Sequence, residues 1–208
     1  MQNSSKPIKL GSLSTSDAEI KDIIKAWVAV SAAFAIGMSG SLLSAGFYRG
    51  FIIASLTVGL GFLLHELAHK IVAQRFGCFA QFRSFDMMLM LAVLMSFFGF
   101  VFAAPGAVMI AGRVNHRKNG LISAAGPIVN LILALVFLAL NFASLPGIVT
   151  EAAYYGFLIN SWLALFNLIP FWIFDGQKIW RWNKVTYSFL AAAAMLLMSV
   201  SYFVKIPA

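Results

Sequence analysis

Long apolar stretches separated by short polar segments dominate the chain. Five of them cover residues 26–47, 51–73, 121–142, 152–174 and 185–204. Each is long enough to cross a hydrocarbon core of about 30 Å as a helix, and the spacing leaves no room for a separate soluble domain. We therefore predict an all-α polytopic membrane protein, with a polar N-terminal tail and interfacial stretch at residues 1–25 and a single membrane-embedded domain at residues 26–208.

A sixth apolar stretch, residues 87–110, is harder to assign because it contains Gly99, Pro105 and Gly106. If this stretch returns to the side it left, all but two of the 15 Lys and Arg residues share the side of the N-terminus, with Arg49 and Lys205 opposite. If it spans, the basic residues divide almost evenly. Because cytoplasmic loops are rich in Lys and Arg, we expect five to six transmembrane helices, a re-entrant segment between the second and third, and a cytoplasmic N-terminus in the cell membrane.

The segments at the two ends of this stretch predict short strands or a β-hairpin near the membrane surface. Residues 77–86 and 105–113 alternate weakly between apolar and polar side chains and contain turn residues. Irregular backbone at membrane depth is tolerated where it is buried in protein or lines a wet cavity. The strands could offer an edge to an extended peptide, or they could cover the core as a hydrophobic flap.

Composition supports the membrane assignment and removes another class of protein. The 208 residues are 61% hydrophobic and 11% charged, with a mean hydropathy of +0.88, which is too apolar for a soluble domain. A net charge of +8 could suggest a nucleic-acid partner, but the basic residues lie where spans end rather than on one face. We therefore expect contacts with the lipid bilayer and none with nucleic acid.

Ionisable side chains inside the apolar stretches mark the candidate chemistry, because such groups are costly in a membrane. His65, Glu66 and His69 form a His-Glu-x-x-His motif within the second predicted span. Residues four apart share a helix face, so the two imidazoles can bind one metal ion. Glu66 lies beside them and can take a proton from a water molecule at the metal. The motif predicts a metal-dependent hydrolase.

A zinc site built on two histidines needs at least one further protein ligand. Outside the N-terminal segment and the motif itself, the acids are Asp86, Glu151 and Asp175. Asp86 could be a turn residue, and Glu151 opens the fourth predicted span on the opposite side of the membrane. Asp175 follows Pro170, which can break the helix and let the chain fold back. We therefore expect Asp175 to be the third ligand.

Taken together, the motifs resemble the signature of the site-2 protease family of intramembrane zinc metalloproteases. The resemblance covers about residues 59–182 and rests on His65-Glu66-Leu67-Ala68-His69, Ala125-Gly126-Pro127 with Asn130, and Asn167-Leu168-Ile169-Pro170 followed by Phe174-Asp175-Gly176. It implies that His65, His69 and Asp175 bind one zinc ion per chain and that Glu66 is the general base. It also implies a transmembrane protein as substrate. The family usually has an aliphatic residue where this chain has Phe174.

Two asparagines are candidate substrate-binding residues. By analogy with the family, Asn130 could hold the substrate carbonyl or its oxyanion, or it could form an interhelical hydrogen bond. Asn167 could contact the substrate or cap the helix broken at Pro170. His116 lies among basic residues and is expected to be a solvated loop residue.

The sequence leaves other functions open beside an intramembrane zinc endopeptidase. A membrane metalloprotease of another family could use a glutamate, such as Glu151, as its third ligand. A zinc or other metal-ion transporter or channel would also carry histidines and acids in its spans, and a catalytically dead scaffold would retain the fold alone. A transporter needs routes to both sides, whereas the candidate ligands cluster near one. We therefore favour the endopeptidase, cutting in or near a transmembrane segment.

Overall fold

The computed structural model describes residues 8–10, 13–40, 42, 44–101, 105–143 and 145–204. These residues are mostly helical, as predicted. The helices are α1 (Asp17–Ser39), α2 (Ala45–Ala54), α3 (Leu60–Arg75), α4 (Asp86–Ser96), α5 (His116–Asn141), α6 (Gly147–Asn167), α7 (Asp175–Trp182) and α8 (Lys184–Ser201). A π-helical turn, Ser55–Gly59, makes α2 and α3 one continuous helix. The strands are β1 (Ile8–Leu10), β2 (Leu13–Thr15), β3 (Phe79–Ser84) and β4 (Gly106–Ala111).

Four helical segments of the described residues are long and apolar enough to cross a membrane. They are Asp17–Ser39, Ala45–Arg75, His116–Asn141 and Lys184–Ser201. Helix α6 has 21 residues, contains the polar side chains Glu151, Asn160 and Asn167, and is not among these four segments. The architecture is that of a polytopic helical membrane protein.

The first helix begins and ends earlier than the predicted span 26–47. Helix α1 begins at Asp17 rather than at residue 26, because the Ser16 hydroxyl accepts the backbone N–H of Glu19 and caps the helix. It ends before residue 47, since Gly40 adopts a φ of 67° at the C-cap. Ahead of it, β1 and β2 form a two-stranded antiparallel sheet. The first helix is therefore shifted toward the N-terminus.

Helix α6 also ends earlier than the predicted span 152–174. Its last residue is Asn167, three positions before Pro170, so the helix break expected from that proline is present. The residues that follow form a loop and then the short helix α7, which begins at Asp175. The chain thus changes direction between α6 and α7.

The largest hydrophobic core lies where α5, α6, α7 and α8 meet. Phe157 and Ile179 are fully buried there, together with the small residues Ala134, Ala164 and Ala194. A Cβ atom at Gly156 would lie 2.5 Å from the Phe137 ring, so this glycine lets α5 and α6 approach closely. The core packs α7 against α5, and α5 in turn packs against α3, which carries the His-Glu-x-x-His motif.

The two strands predicted around residues 77–86 and 105–113 pair as an antiparallel sheet of β3 and β4. Ser84 at the end of β3 lies opposite Gly106 at the start of β4. The intervening chain leaves the sheet as α4 and comes back to it. Phe82 anchors one face of the sheet, since it is 1% exposed and packs with Ala26 of α1 and Phe62 of α3.

Candidate metal centre

His65 and His69 project from α3 against the backbone of α5. Both side chains are buried, and their rings meet edge to face with centroids 4.6 Å apart. A Cβ atom at Gly126 of α5 would lie 2.5 Å from Nε2 of each histidine. Only glycine fits at this position without displacing both imidazoles, which explains the glycine of the Ala125-Gly126-Pro127 motif.

Hydrogen bonds fix the tautomer of both imidazoles. Nδ1 of His65 donates to Oδ1 of Asn130 at 2.5 Å, and Nδ1 of His69 donates to the carbonyl oxygen of Ile122 at 2.7 Å. Because both acceptors are oxygen atoms without a proton to give, Nδ1 carries the hydrogen in each neutral ring. Each Nε2 therefore presents a free lone pair, which is the state that binds a metal.

Asp175 reaches the two histidines because the chain turns back after α6. Trp172 adopts a φ of 57° in this loop, which is uncommon for a residue with a bulky side chain. The backbone of Gly176 packs against the carbonyl group of Leu168, where a side chain would collide. These features place Asp175 as the first residue of α7, directed at α3.

The carboxylate of Asp175 contacts both imidazoles. Its Oδ2 lies 3.4 Å from Nε2 of His65 and 3.0 Å from Nε2 of His69. Its other oxygen, Oδ1, accepts a hydrogen bond from Nζ of Lys178 at 3.3 Å. One potential ligand atom from each of the three buried residues lies within 4.8 Å of the others. Two unprotonated nitrogens and one carboxylate oxygen form a donor set that suits zinc.

Glu66 lies in the same cavity as these three side chains. The cavity has a volume of about 290 Å³, and its remaining wall is largely apolar, with Phe62, Phe166 and Ile173 among the lining residues. The Oε2 atom of Glu66 accepts the backbone N–H of Val108 in β4 at 3.2 Å. A carboxylate held beside a potential metal site in an apolar cavity is placed to accept a proton from water.

Asn130 is fully buried and all its polar atoms are engaged. Its Oδ1 accepts from His65, while its Nδ2 donates to the carbonyl of Gly61 at 3.2 Å and to Oδ1 of Asn160 at 3.0 Å. The amide has two N–H groups, and both are therefore used. This geometry favours the interhelical hydrogen bond over a direct contact with substrate.

Asn167 lies at the end of α6 and lines the cavity. Its Nδ2 donates to the carbonyl of Leu163 at 2.9 Å, so one N–H bonds to its own helix. The side chain is partly exposed, and its other polar groups remain candidates for contact with a substrate.

The other candidate acids and the third histidine lie elsewhere. Glu151 forms an ion pair with Arg49, with Oε2 2.5 Å from Nη2, and Asp86 pairs with Lys25 between α4 and α1. His116 is exposed at the start of α5. The structure thus brings Asp175, and neither of the other two acids, to the His-Glu-x-x-His motif.

Asn160 is the site residue that sequence reasoning missed. It is fully buried on α6, accepts from Asn130 and donates through Nδ2 to the carbonyl of Gly156 at 2.8 Å. The sequence contains a signal for it, since Asn160 is an amide within the predicted span 152–174, as Asn130 is within 121–142. Its partner on another helix could not be read from the sequence.

The chain is similar to curated proteins from an archaeon and from a bacterium. The protein named "Putative zinc metalloprotease MJ0611" from Methanocaldococcus jannaschii is 40% identical over 141 residues, which cover 66% of this chain and 74% of that protein. The protein named "Putative zinc metalloprotease Rip3" from Mycobacterium tuberculosis is 32% identical over 124 residues, which cover 57% of this chain and 28% of that protein. No family model and no solved structure matches the chain.

The fold, the site and these relatives define a membrane zinc metalloprotease, with zinc as its cofactor. Within that class, the chain belongs to the site-2 protease-like family. The resemblance found in the sequence motifs is thereby confirmed.

Proposed function

We propose that this protein is an intramembrane zinc endopeptidase that hydrolyses a peptide bond in or near a transmembrane segment of another membrane protein. The observation that carries this proposal is the convergence of His65, His69, Asp175 and Glu66 on one cavity. The two histidines and the glutamate belong to the helical segment Ala45–Arg75, which is long enough to cross a membrane. The relatives support the reaction class, since both are named as zinc metalloproteases.

We assign the ligand and base roles within this cavity by geometry. His65, His69 and Asp175 would hold the zinc ion, because their free donor atoms face one another. When bound, zinc supplies Lewis-acid polarisation of the scissile carbonyl and makes water more acidic. Glu66 takes the proton of the attacking water and passes it to the leaving amine.

The substrate must present an unwound backbone to this site. A helical transmembrane segment keeps its carbonyl groups in internal hydrogen bonds, so the scissile bond has to leave the helix before attack. Gly or Pro near the bond should favour cleavage, because both weaken a helix. Asn167 lines the cavity and is our proposed substrate contact, whereas Asn130 is assigned to orienting His65.

We further propose that the site opens toward the cytoplasmic side of the cell membrane, where the N-terminus also lies. The distribution of Lys and Arg supports this orientation if residues 87–110 re-enter rather than span. The pairing of Ser84 with Gly106 supports re-entry, since both ends of that segment meet at one sheet. This arrangement leaves five membrane-crossing helical segments, with α6 among them.

The test compares the wild type with Glu66→Gln, His65→Ala, Asp175→Ala and Glu151→Ala, each purified in detergent and reconstituted with a reporter protein whose transmembrane segment contains Gly-Pro. We expect about one zinc per chain in the wild type and in Glu66→Gln, and loss of zinc in His65→Ala and Asp175→Ala. Glu66→Gln should reduce cleavage at least about 10²-fold, because it removes the proton acceptor.

Undiminished cleavage by pure Glu66→Gln protein would contradict the assignment of the base. Retention of zinc in Asp175→Ala, with loss in Glu151→Ala, would contradict the ligand set. Zinc uptake into proteoliposomes without any cleavage of the reporter would contradict the protease and support a transporter.

A further inference from the structure

A buried ion pair includes Lys70, the residue that directly follows the His-Glu-x-x-His motif. Nζ of Lys70 on α3 donates to Oε2 of Glu19 on α1 at 2.7 Å. Glu19 is 0% exposed and Lys70 is 5% exposed. Burying two charges is costly, and a buried ion pair can often be replaced by apolar residues without loss of stability. Stabilising the contact between α1 and α3 is therefore not a sufficient reason for this buried ion pair.

The carboxylate of Glu19 also accepts a hydrogen bond from the edge of the sheet. Its Oε1 accepts the backbone N–H of Phe82 in β3 at 2.8 Å, and its Oε2 also accepts from the hydroxyl of Thr15 at 2.9 Å. Lys70 and Thr15 thus fix the carboxylate that holds β3. This carboxylate therefore fixes the backbone of β3 at Phe82, while the Gln74 side chain of α3 holds the strand at the carbonyl of Ala80.

The opposite edge of the same sheet is bound by Glu66. Phe82 and Val108 lie directly opposite each other in the register of β3 and β4. The N–H of Phe82 donates to Glu19 and that of Val108 donates to Glu66. The members of a non-hydrogen-bonded antiparallel pair direct their N–H groups away from each other. Glu19 and Glu66 therefore accept hydrogen bonds at opposite outer edges of the sheet.

Helix α3 carries both Glu66 and Lys70, so it connects the hydrogen bonds at the two edges of the sheet. Glu66 and Lys70 are four residues apart and share a helix face. Glu66 reaches β4 directly, and Lys70 reaches β3 through Glu19. A movement of β3 would therefore move Val108 relative to Glu66, although Glu19 does not itself touch Glu66.

We propose that Glu19, held by Lys70, is a positioning residue for Glu66. It sets β3, and through β3 it sets β4, so that the Val108 N–H meets the Glu66 carboxylate and fixes its direction in the cavity. This inference rests on the proposed role of Glu66 as general base. A displacement of about 1 Å in a catalytic group can cost about 10²-fold in rate, so the effect should be measurable.

The test uses two double variants, of which only one retains an acceptor oxygen at position 19. Glu19→Leu/Lys70→Met removes both charges and also the acceptor of the Phe82 N–H. Glu19→Gln/Lys70→Met removes both charges but retains an acceptor oxygen. Neither variant leaves an unpaired buried charge, so both are expected to fold. Arg49→Gln, which breaks the exposed pair with Glu151, controls for the loss of an ion pair elsewhere.

We would measure the amide hydrogen exchange of Val108, kcat and KM on the Gly-Pro reporter, and zinc content. For Glu19→Leu/Lys70→Met we expect exchange at Val108 to be at least about tenfold faster and kcat at least about tenfold lower. KM should change less than about twofold and zinc should stay near one per chain, since the ligands are untouched. Glu19→Gln/Lys70→Met and Arg49→Gln should resemble the wild type.

Equal behaviour of the two double variants, whether both are normal or both are impaired, would overturn the inference, because the acceptor oxygen would then be irrelevant. Normal exchange at Val108 in Glu19→Leu/Lys70→Met would overturn it as well. Failure of the proposed function would be seen separately, as cleavage by Glu66→Gln, and exchange at Val108 can be read without any catalysis.

Discussion

The two histidines of the site are held in different ways. His65 donates to the side chain of Asn130, which is itself held by Asn160 of a third helix. His69 donates to the backbone carbonyl of Ile122. The orientation of the His65 ring therefore depends on two amide side chains, from α5 and α6. The orientation of the His69 ring depends only on the position of the α5 backbone. A substitution can remove the first support but cannot delete the second.

The largest loss of zinc should come from a substitution that displaces both imidazole rings, however each one is held. A methyl group at Gly126 would lie 2.5 Å from Nε2 of each histidine, so Gly126→Ala should bring zinc content from about one per chain to well below half. Elemental analysis of the purified protein measures this. Gly147→Ala is the matched control, since no described atom lies within 4 Å of a Cβ there. Full zinc content in Gly126→Ala would show that α5 shifts to make room.

We expect an intermediate loss of zinc affinity when only the hydrogen bond between Asn130 and His65 is removed. Asn130→Ala removes the acceptor of the His65 Nδ1–H, and zinc affinity should fall about 10- to 100-fold. Competition with a chelator gives the affinity. Asn141→Ala controls for a buried amide on the same helix, because among the described residues Asn141 Nδ2 has no hydrogen-bond partner. A loss of the same size in both variants would mean that Asn130 acts only through the packing of α5.

The smallest effect on zinc should come from the residue that supports His69. Ile122→Val leaves the carbonyl group in place, so zinc affinity should stay within about threefold of the wild type. The lost methylene should lower the free energy of unfolding by about 0.5–1.5 kcal/mol, because Ile122 is buried. Thermal unfolding measures the change in stability, and chelator competition on the same sample measures the change in zinc affinity. A fall in affinity matching that of Asn130→Ala would show that both supports depend on side chains.

Much of the site could be predicted because its residues break an otherwise apolar pattern. His65, Glu66 and His69 are polar groups at helical spacing in a span, and the structure places them on one cavity. Asp175 could be chosen because Pro170 breaks the helix before it, and α6 does end at Asn167. Hydropathy and proline act locally, so their effects can be read from the sequence.

The remaining features depend on contacts between distant segments. The start of α1 at Asp17 follows from the Ser16 cap and the burial of Glu19 against Lys70, which a hydropathy pattern cannot show. Asn160 is recognisable as a polar residue in a predicted span, but its hydrogen bond with Asn130 requires α5 and α6 to be docked. The pairing of β3 with β4 also depends on residues separated by α4.

The position of Asp175 in the chain has a consequence for biosynthesis. Asp175 follows the two histidines in the chain, with α4, α5 and α6 between them. During synthesis, α3 enters the membrane long before α7 exists, and until then the histidines lack their carboxylate partner. A nascent chain therefore cannot assemble the complete site before α7 has been made.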